Sequence, residues 1–180
     1  MTPLPILKIG HALLRKKCLN IPAKEFKNPK FIKFLKDMVV TMRRAQGVGL
    51  AANQVGGNRT AIVLECASNR RYPYRKAFNL EIFINPRIIQ SSKEMFLDWE
   101  GCLSIPGYRG LVPRSTSVII EAMEINGRRI RKTVTGFHAR VIQHEVDHIN
   151  GFFYMDRMPN LKGWTHLEEF TKRHKCAADE

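Results

Sequence analysis

The hexapeptide Gln143-His144-Glu145-Val146-Asp147-His148 constrains this chain more than any other feature, because it contains the pattern H-E-x-x-H. An α-helix turns about 100° per residue, so histidines four residues apart lie on one face and roughly 6 Å apart along the axis. Two imidazoles at that separation can bind one metal ion. Glu145 lies beside them, where a carboxylate can take the proton of a metal-activated water. The pattern therefore predicts a metal-binding helix with His144 and His148 as ligands and Glu145 as a base.

The residues before the hexapeptide extend its histidine face with apolar side chains. Phe137 and Val141 continue the series 137, 141, 144, 148, which has helical spacing. They fit either the wall of a pocket for an apolar substrate group or the buried stripe of an ordinary amphipathic helix. A surface helix that carries two histidines by chance is the alternative to the metal site, because short motifs recur.

Length and composition predict a single domain over 1–180. A chain of 180 residues with 44% hydrophobic and 26% charged residues is ordinary for one globular domain. No run reaches the roughly 18 apolar residues of a membrane span, so we expect a soluble protein with no membrane partner. The N-terminus, which begins Met1-Thr2-Pro3-Leu4-Pro5, lacks the basic and apolar regions of a leader. We therefore expect a cytoplasmic protein, although a mature organellar form would look the same.

Cysteine spacing and charge add two further expectations. Cys18, Cys66, Cys102 and Cys176 are far apart in the sequence and have no secretory context, which predicts reduced thiols. The formal net charge of +14 predicts attraction to polyanions such as nucleic acid.

Hydrophobic periodicity predicts the remaining elements. Helical spacing after Asn28-Pro29 predicts a first helix over 31–44. Asn126-Gly127 is a hairpin signal between two alternating segments. The predicted strands are 60–65, 82–89, 117–125, 128–135 and a short 152–155; the predicted last helix is 165–175. Pro86 places the second strand at an edge or breaks it. This order predicts an α+β fold with mixed or antiparallel sheets around the H-E-x-x-H helix, flanked by an N-terminal and a C-terminal helix.

Two loop segments complete the pattern. The stretch 47–54 is too glycine-rich for a helix and too apolar for an exposed loop, which predicts backbone packed closely against another part of the protein. The basic stretch 69–76 is predicted to be a loop.

The third metal ligand separates the hydrolase classes that share this helix. Tyr154 stands where one such family has a third histidine, which excludes that family. Thermolysin-like zinc endopeptidases use a glutamate about twenty residues downstream, where this chain has Glu168 and Glu169. Cys102, beside the flexible Gly101, is the other candidate, although most free cysteines are buried small hydrophobes.

Three segments in order, GVGLAANQ at 47–54, EGCLS at 100–104 and QHEVDH at 143–148, resemble the signature motifs of peptide deformylase. Members of that family are metallohydrolases that remove the N-formyl group from nascent chains. The resemblance spans the chain from the first helix to the metal helix, and three ordered motifs are more specific than H-E-x-x-H alone.

The resemblance implies roles for individual residues. The implied metal ligands are Cys102, His144 and His148, around Fe2+, with Zn2+, Ni2+ or Co2+ as alternatives. Glu145 would act as general base and then general acid, while the Gln54 side-chain amide and the Leu103 backbone N–H would hold the formyl oxygen. Backbone groups of Val48 and Gly49 would align the peptide, and Val48, Phe137 and Val141 would line the methionine pocket.

Two positions depart from the family pattern. Asn53 stands where the family often has proline, which we expect to affect loop stiffness more than chemistry. Arg140 stands where some relatives have an aliphatic residue, and its stem can pack in the same way.

The expected partners are N-formylmethionyl nascent peptides and, through a basic C-terminal segment, ribosomal RNA. That segment contains Lys172, Arg173, His174 and Lys175 after a helix-like run. Phosphate contacts would give affinity that is independent of sequence. A solvated basic tail without a partner is the alternative.

Overall fold

The computed structural model describes residues 1–67 and 76–175 of the chain. Cys176 and, apart from Lys76, the loop predicted at 69–76 lie outside the described residues.

Within these ranges the helices are α1 (Pro29–Arg44), α2 (Gly136–Ile149) and α3 (Leu167–Lys175). The strands are β1 (Gly49–Ala51), β2 (Ala61–Cys66), β3 (Phe78–Ser91), β4 (Met95–Cys102), β5 (Ile105–Ser115), β6 (Ser117–Met123), β7 (Arg129–Thr135) and β8 (Trp164–His166). Short 3-10 turns lie at Ala12–Arg15, Ala23–Lys27, Ala52–Val55, Tyr154–Arg157 and Leu161–Gly163.

The strands form two antiparallel sheets. One has the order β1-β2-β3-β6-β7, and the other has the order β4-β5-β8. Helix α2 contacts strands of both sheets. The predicted α+β class, with the H-E-x-x-H helix between an N-terminal and a C-terminal helix, is confirmed.

Helix α1 begins where the sequence predicts. The side chain of Asn28 accepts a hydrogen bond from Lys30 N–H at 3.0 Å and caps the first turn, and Pro29 occupies the first helical position. The buried face consists mainly of apolar side chains at helical spacing, among them Phe31, Leu35, Met38 and Met42. This face packs on the five-stranded sheet.

Strand β2 separates the two large helices. Because successive strand side chains point to opposite faces, Ile62 and Leu64 pack in one apolar cluster and Ala61 and Val63 in another. The first cluster contains residues of α2, and the second contains residues of α1. The sheet thus carries α1 on one face and α2, with its histidines, on the other.

The strand that contains Pro86 is interrupted but is not at an edge. Strand β3 lies between β2 and β6, so the edge alternative is wrong. The break is present, because Asn85 has φ 51° and the register shifts between Ile84 and Arg87. The Asn85 side chain bonds both Ile21 N–H, at 2.9 Å, and Ile21 C=O, at 2.8 Å, which holds the break in place.

The prediction of a short strand at 152–155 is wrong. The chain there turns into the 3-10 segment Tyr154–Arg157, and Asp156 Oδ2 accepts the Phe153 N–H at 2.7 Å. This local side-chain bond competes with strand pairing. Phe153 and Tyr154 are nevertheless buried, so the apolar run marks core rather than sheet.

The predicted last helix begins two residues late, because Trp164–His166 forms β8 and pairs with β5. The hairpin predicted around Asn126-Gly127 is present as β6 and β7. No helix in the described part of the chain is long and apolar enough to span a membrane.

Candidate metal centre

Helix α2 holds both histidines of the hexapeptide inside the protein. It begins directly after β7 at Gly136, whose φ of 62° lies in the left-handed region that glycine tolerates. His144 is 9% exposed and His148 is 0% exposed. Their Nε2 atoms lie 3.2 Å apart. One helical turn therefore brings two imidazole nitrogens to a common point, as their spacing predicts.

Cys102 reaches the same point from the tight turn between β4 and β5, where it pairs with Ile105. Its Sγ lies 3.1 Å from His148 Nε2 and accepts a hydrogen bond from Ser104 N–H at 3.3 Å. One ligand atom from each of Cys102, His144 and His148 lies within 4.8 Å of the other two. A thiol far away in sequence thus joins the histidine pair.

The distances and the donor set fit a divalent metal ion. Tetrahedral bonds of about 2.1 Å would set two nitrogen ligands roughly 3.4 Å apart, close to the separation of the two histidine nitrogens. One thiolate and two imidazoles suit zinc, iron, cobalt or nickel.

The two histidines differ in how readily they lose a proton. Burial holds the pKa of His148 well below its usual range. Burial also opposes charge on His144, but hydrogen bonds to Cys102 and Glu100 outweigh it and raise the pKa of that imidazole. His144 therefore holds its proton more tightly than usual, and a metal ion must displace that proton on binding, whereas His148 is already neutral.

The carboxylate of Glu100 fixes the orientation of the His144 ring. Its Oε2 accepts a hydrogen bond from His144 Nδ1 at 2.8 Å, which directs Nε2 towards Cys102 and His148. Burial opposes the charge on Glu100, but Arg114 and His144 hold the pKa of this carboxyl well below its usual range. Sequence reasoning missed Glu100, although a strand residue two positions before Cys102 shares its face.

A buried ionic network ties the metal helix to the three-stranded sheet. Arg114 of β5 donates to both oxygens of Glu100, at 2.9 and 3.1 Å, and to Asp147 Oδ2 of α2 at 2.5 Å. Asp147 also accepts from Arg157 at 2.6 Å. Because α2 carries the histidines and β4 ends at Cys102, this network sets the distance between the cysteine and the two histidines. No local pattern in the sequence indicated it.

Arg140 contributes to the same network from α2. Its Nη1 donates to Glu100 Oε1 at 2.8 Å and to the Val112 carbonyl at 2.9 Å, and its Nη2 donates to the Phe96 carbonyl. The residue is 5% exposed. Arg140 is among the residues that line the cavity, and its guanidinium binds the strand that leads to Cys102.

We expect Glu100→Gln to lower metal affinity by about 10- to 100-fold, the usual cost of losing a hydrogen-bond partner behind a metal-binding histidine. Gln keeps the shape but cannot supply the negative charge that orients the His144 N–H. Competition with a chelator measures the affinity, and Glu121→Gln, on the outer hairpin, is the matched control. Equal affinity in both variants would contradict this role for Glu100.

The carboxylate of Glu145 lies beside the cluster. It is 4% exposed, and its Oε2 has no hydrogen-bond partner among the described residues. Burial raises the pKa of this carboxyl to about 7. A carboxyl with that pKa can both accept and return a proton near neutral pH.

Gly49 makes room for that carboxylate. A Cβ built on Gly49 would lie 2.3 Å from Glu145 Oε1, closer than real Cβ contacts. Gly47 is similar, since its Cβ would lie 2.8 Å from Leu103 Cδ1. A side chain at either position would displace the end of a neighbouring side chain, which agrees with the close packing that the composition of 47–54 predicts.

The Gln54 amide lies next to the cysteine. Its Nε2 donates to Ser104 Oγ at 3.1 Å and approaches Cys102 Sγ at 3.5 Å, while its Oε1 accepts from Ala51 N–H at 2.8 Å. The bond to Ala51 fixes which end of the amide faces the cluster. Gln54 and Leu103 both line the cavity that also contains Cys102 and His144.

Every residue predicted for substrate contact lines this cavity. The set comprises Val48, Gly49, Phe137 and Val141. Among the described strands, β1 pairs only with β2 and therefore forms an edge of its sheet. The Val48 carbonyl points towards β2, because it accepts a hydrogen bond from Glu65 N–H at 3.0 Å. The direction of backbone hydrogen bonding alternates along a strand, so the N–H and C=O of Gly49 point to the unpaired side of β1. An extended peptide could add to that side.

Asn53 supports the C-terminal end of the metal helix. Its Nδ2 donates to the His148 carbonyl at 2.6 Å, and the residue is 0% exposed. The position thus contributes a direct contact to a histidine-bearing turn, in addition to any effect on loop stiffness.

Glu168 and Glu169 lie in the first turn of α3. Their side chains are 78% and 53% exposed, and Glu169 pairs with Lys172. Neither belongs to the metal-capable group of the described residues. The arrangement expected for a thermolysin-like endopeptidase is absent there.

Comparison with known proteins adds independent findings. The chain matches the family model for polypeptide deformylase over residues 3–164. Peptide deformylase 1 of Nitrosomonas europaea is 42% identical over 178 residues, which cover 97% of this chain and 98% of that protein. Peptide deformylase 1 of Bordetella pertussis is 40% identical over 163 residues, covering 91% of this chain and 92% of that protein.

Solved structures agree with these matches. A Met-Ala-Ser-bound crystal structure of a class I type b peptide deformylase from Acinetobacter baumannii has a TM-score of 0.85 and 35% identity, covering 87% of this chain and 99% of that chain. A peptide deformylase from Thermotoga maritima has a TM-score of 0.78 and 29% identity, with coverage of 89% and 100%.

Proposed function

Since the chain belongs to the peptide deformylase family, metal-dependent hydrolases that remove the N-formyl group from nascent polypeptides, we propose that Cys102, His144 and His148 hold the metal ion of this reaction. The reaction converts an N-formyl-L-methionyl peptide and water into formate and an L-methionyl peptide. The convergence of one thiol and two imidazoles within 4.8 Å supports the assignment most directly. We place the whole reaction in one domain, 1–180.

A divalent metal ion held by Cys102, His144 and His148 would lower the pKa of a bound water to roughly 7 and polarise the formyl carbonyl. The residues of the chain then handle the proton and the oxyanion. Glu145 accepts the proton of the attacking water and passes it to the methionine nitrogen as the bond from that nitrogen to the formyl carbon breaks. The unpartnered Oε2 and the raised pKa of Glu145 support this role.

Gln54 Nε2 and the Leu103 N–H donate hydrogen bonds to the formyl oxygen and stabilise the negative charge that develops on it. Preorganised donors of this kind stabilise the transition state more than the ground state. The hydrogen bond from Ala51 N–H to Gln54 Oε1 supports the proposal, because it orients the amide nitrogen before substrate binds.

The substrate methionine lies against Val48, Phe137 and Val141, which line the cavity over the ligands. A formyl group is small, so recognition depends on burial of the methionine side chain, worth about 1.5–3 kcal/mol. Backbone groups of Val48 and Gly49 align the peptide. The related structure from Acinetobacter baumannii binds Met-Ala-Ser, which supports a peptide that extends beyond the methionine.

Formate release from a formyl-Met peptide tests the function, with cleavage of an internal peptide bond as the comparison. A deformylase releases formate and leaves internal bonds intact. Cleavage of internal bonds without formate would favour an endopeptidase instead.

We propose Fe2+ as the native metal, with Zn2+, Ni2+ or Co2+ able to occupy the same ligands. We expect the activity of freshly isolated enzyme to decay in air and to persist under anaerobic conditions, because Fe2+ and the Cys102 thiolate both oxidise. Parallel time courses with and without oxygen measure the effect. Equal, air-stable activity of the zinc-loaded enzyme would contradict the assignment of iron.

We also propose a cytoplasmic enzyme, or a mature organellar one, that docks on ribosomal RNA through α3 and the basic residues that follow Phe170. An enzyme that acts on nascent termini benefits from local concentration, and phosphate contacts provide affinity that falls steeply with salt. Lys172 and Arg173 are exposed, which supports the proposal.

Deletion of residues 171–180 is expected to weaken ribosome binding and to flatten its salt dependence, while hydrolysis of a short formyl-Met peptide stays unchanged. Lys172→Gln combined with Arg173→Gln is expected to act in the same direction without shortening the helix. Lys36→Gln combined with Lys93→Gln removes the same charge elsewhere and serves as the control. Ribosome affinity that survives the deletion would leave the segment as a solvated basic tail.

A further inference from the structure

A second, open cavity of about 580 Å³ adjoins the metal cavity. The two cavities share Cys102 and Leu103 in their linings. Gly47, Val48 and Gly49 line the metal cavity, and the residues directly before them, Ala45 and Gln46, line the second. The segment that forms the opposite wall also continues from the metal cavity into the second one.

That opposite wall runs from Gly101 and Leu103 in the metal cavity to Pro106, Gly107 and Arg109 in the second one. Both cavities therefore lie between the same two chain segments and form one cleft. A peptide whose methionine lies over the metal ligands leaves along this cleft. At about 3.3 Å per extended residue, its second and third residues fall within the open part.

The open part of the cleft is positively charged. Lys8 is exposed, and its Nζ donates one hydrogen bond, to the Leu103 carbonyl at 2.9 Å, out of the three that an ammonium can form. Among the described residues that line the second cavity, none is Asp or Glu.

Arg109 brings the second charge close to the metal cavity. A Cβ built on Gly101 would lie 1.8 Å from Arg109 Nη1, so the guanidinium rests directly on the backbone of Gly101. Nη1 also donates to the Tyr108 carbonyl at 3.2 Å. A guanidinium offers five N–H donors and pairs well with carboxylates.

We propose that this cleft makes the enzyme prefer formyl-methionyl peptides with an acidic side chain at the second or third residue, and that Lys8 and Arg109 set the preference. The inference rests on the proposed function, because it assumes that the methionine occupies the metal cavity. Opposite charge at short range lowers the free energy of the bound acidic peptide, and a basic side chain at the same place raises it.

Five peptides test the proposal with the metal-loaded enzyme: formyl-Met-Ala-Ser, formyl-Met-Asp-Ser, formyl-Met-Ala-Asp, formyl-Met-Lys-Ser and formyl-Met-Ala-Lys. We expect kcat/KM for formate release to be about three- to tenfold higher for at least one Asp peptide than for its Lys counterpart. High salt should reduce that ratio, because exposed charges are screened.

Variants that change the charge of Lys8 or Arg109 test whether the preference for acidic peptides arises in the cleft. Lys8→Gln and Arg109→Gln are each expected to reduce the Asp-to-Lys ratio, and Lys8→Glu to bring it to one or below. Lys36→Glu makes the same change in net charge on α1 and should keep the ratio of the unmodified enzyme. Because Lys8 is exposed, its variants provide the test even if Arg109→Gln fails to fold.

Two results would overturn the proposal. One is an Asp-to-Lys ratio near one in the unmodified enzyme, and the other is a ratio that Lys8→Glu leaves unchanged or that Lys36→Glu reduces equally. In either case formyl-Met-Ala-Ser would still release formate. Failure of the proposed function is different, since no formate would then appear from any of the peptides.

Discussion

Glu145→Gln is expected to keep the metal content of the enzyme and to lower turnover by about 100- to 10,000-fold, the usual contribution of a positioned general base and acid. Gln has nearly the same shape as Glu, so it fits the space beside Gly49. It cannot accept the proton of the attacking water or return it to the departing nitrogen. Metal analysis and formate release, measured on the same preparation, separate binding from chemistry.

The position of the carboxylate provides a second variant. Gly49→Ala would place a methyl group 2.3 Å from Glu145 Oε1, which would force the carboxylate to move. We expect Gly49→Ala also to lower turnover and to retain the metal. Loss of metal in parallel with activity in Glu145→Gln would show that Glu145 is a ligand rather than a base.

Cys102→Ala is expected to abolish stoichiometric metal binding and, with it, turnover. The variant leaves two imidazoles to hold the ion, and the loss should exceed the roughly 10- to 100-fold that removal of an outer hydrogen-bond partner costs. Metal per chain after desalting is the measurement.

Three control variants accompany Cys102→Ala. Cys18→Ala removes another buried free thiol outside the cluster and should keep the metal. Glu168→Ala and Glu169→Ala should keep it as well, because both glutamates are exposed on α3. Metal that persists in Cys102→Ala and disappears in either glutamate variant would reverse the ligand assignment.

Local sequence determined much of the framework. Helix α1 follows from the Asn28 cap, from Pro29 and from apolar residues at helical spacing, and β6–β7 follows from Asn126-Gly127. The 144/148 spacing places both histidines on one face of α2, one turn apart, where their Nε2 atoms lie 3.2 Å from each other. Such features depend on neighbours a few residues away, which a single sequence displays directly.

Hydrophobic periodicity was ambiguous in segments where a short apolar run fits more than one local structure. The segment at 152–155 reads as a strand, yet the Asp156 side chain bonds Phe153 N–H and turns the chain. Strand β3 contains Pro86 and still lies inside its sheet, because the Asn85 side chain tethers the break to Ile21. In both cases a side-chain bond to the backbone outweighed the strand pattern.

By itself, the sequence determined the helix that carries the two histidines, its apolar face, the close-packed glycines and, through three ordered motifs, the family. Only the tertiary structure decided how these parts meet. The turn between β4 and β5 brings Cys102 to the histidines, and buried charges on Glu100, Arg114 and Asp147 hold α2 against the three-stranded sheet. These contacts join residues 14 to 46 positions apart. They form because buried charges must find partners in the folded chain, which no local spacing reveals.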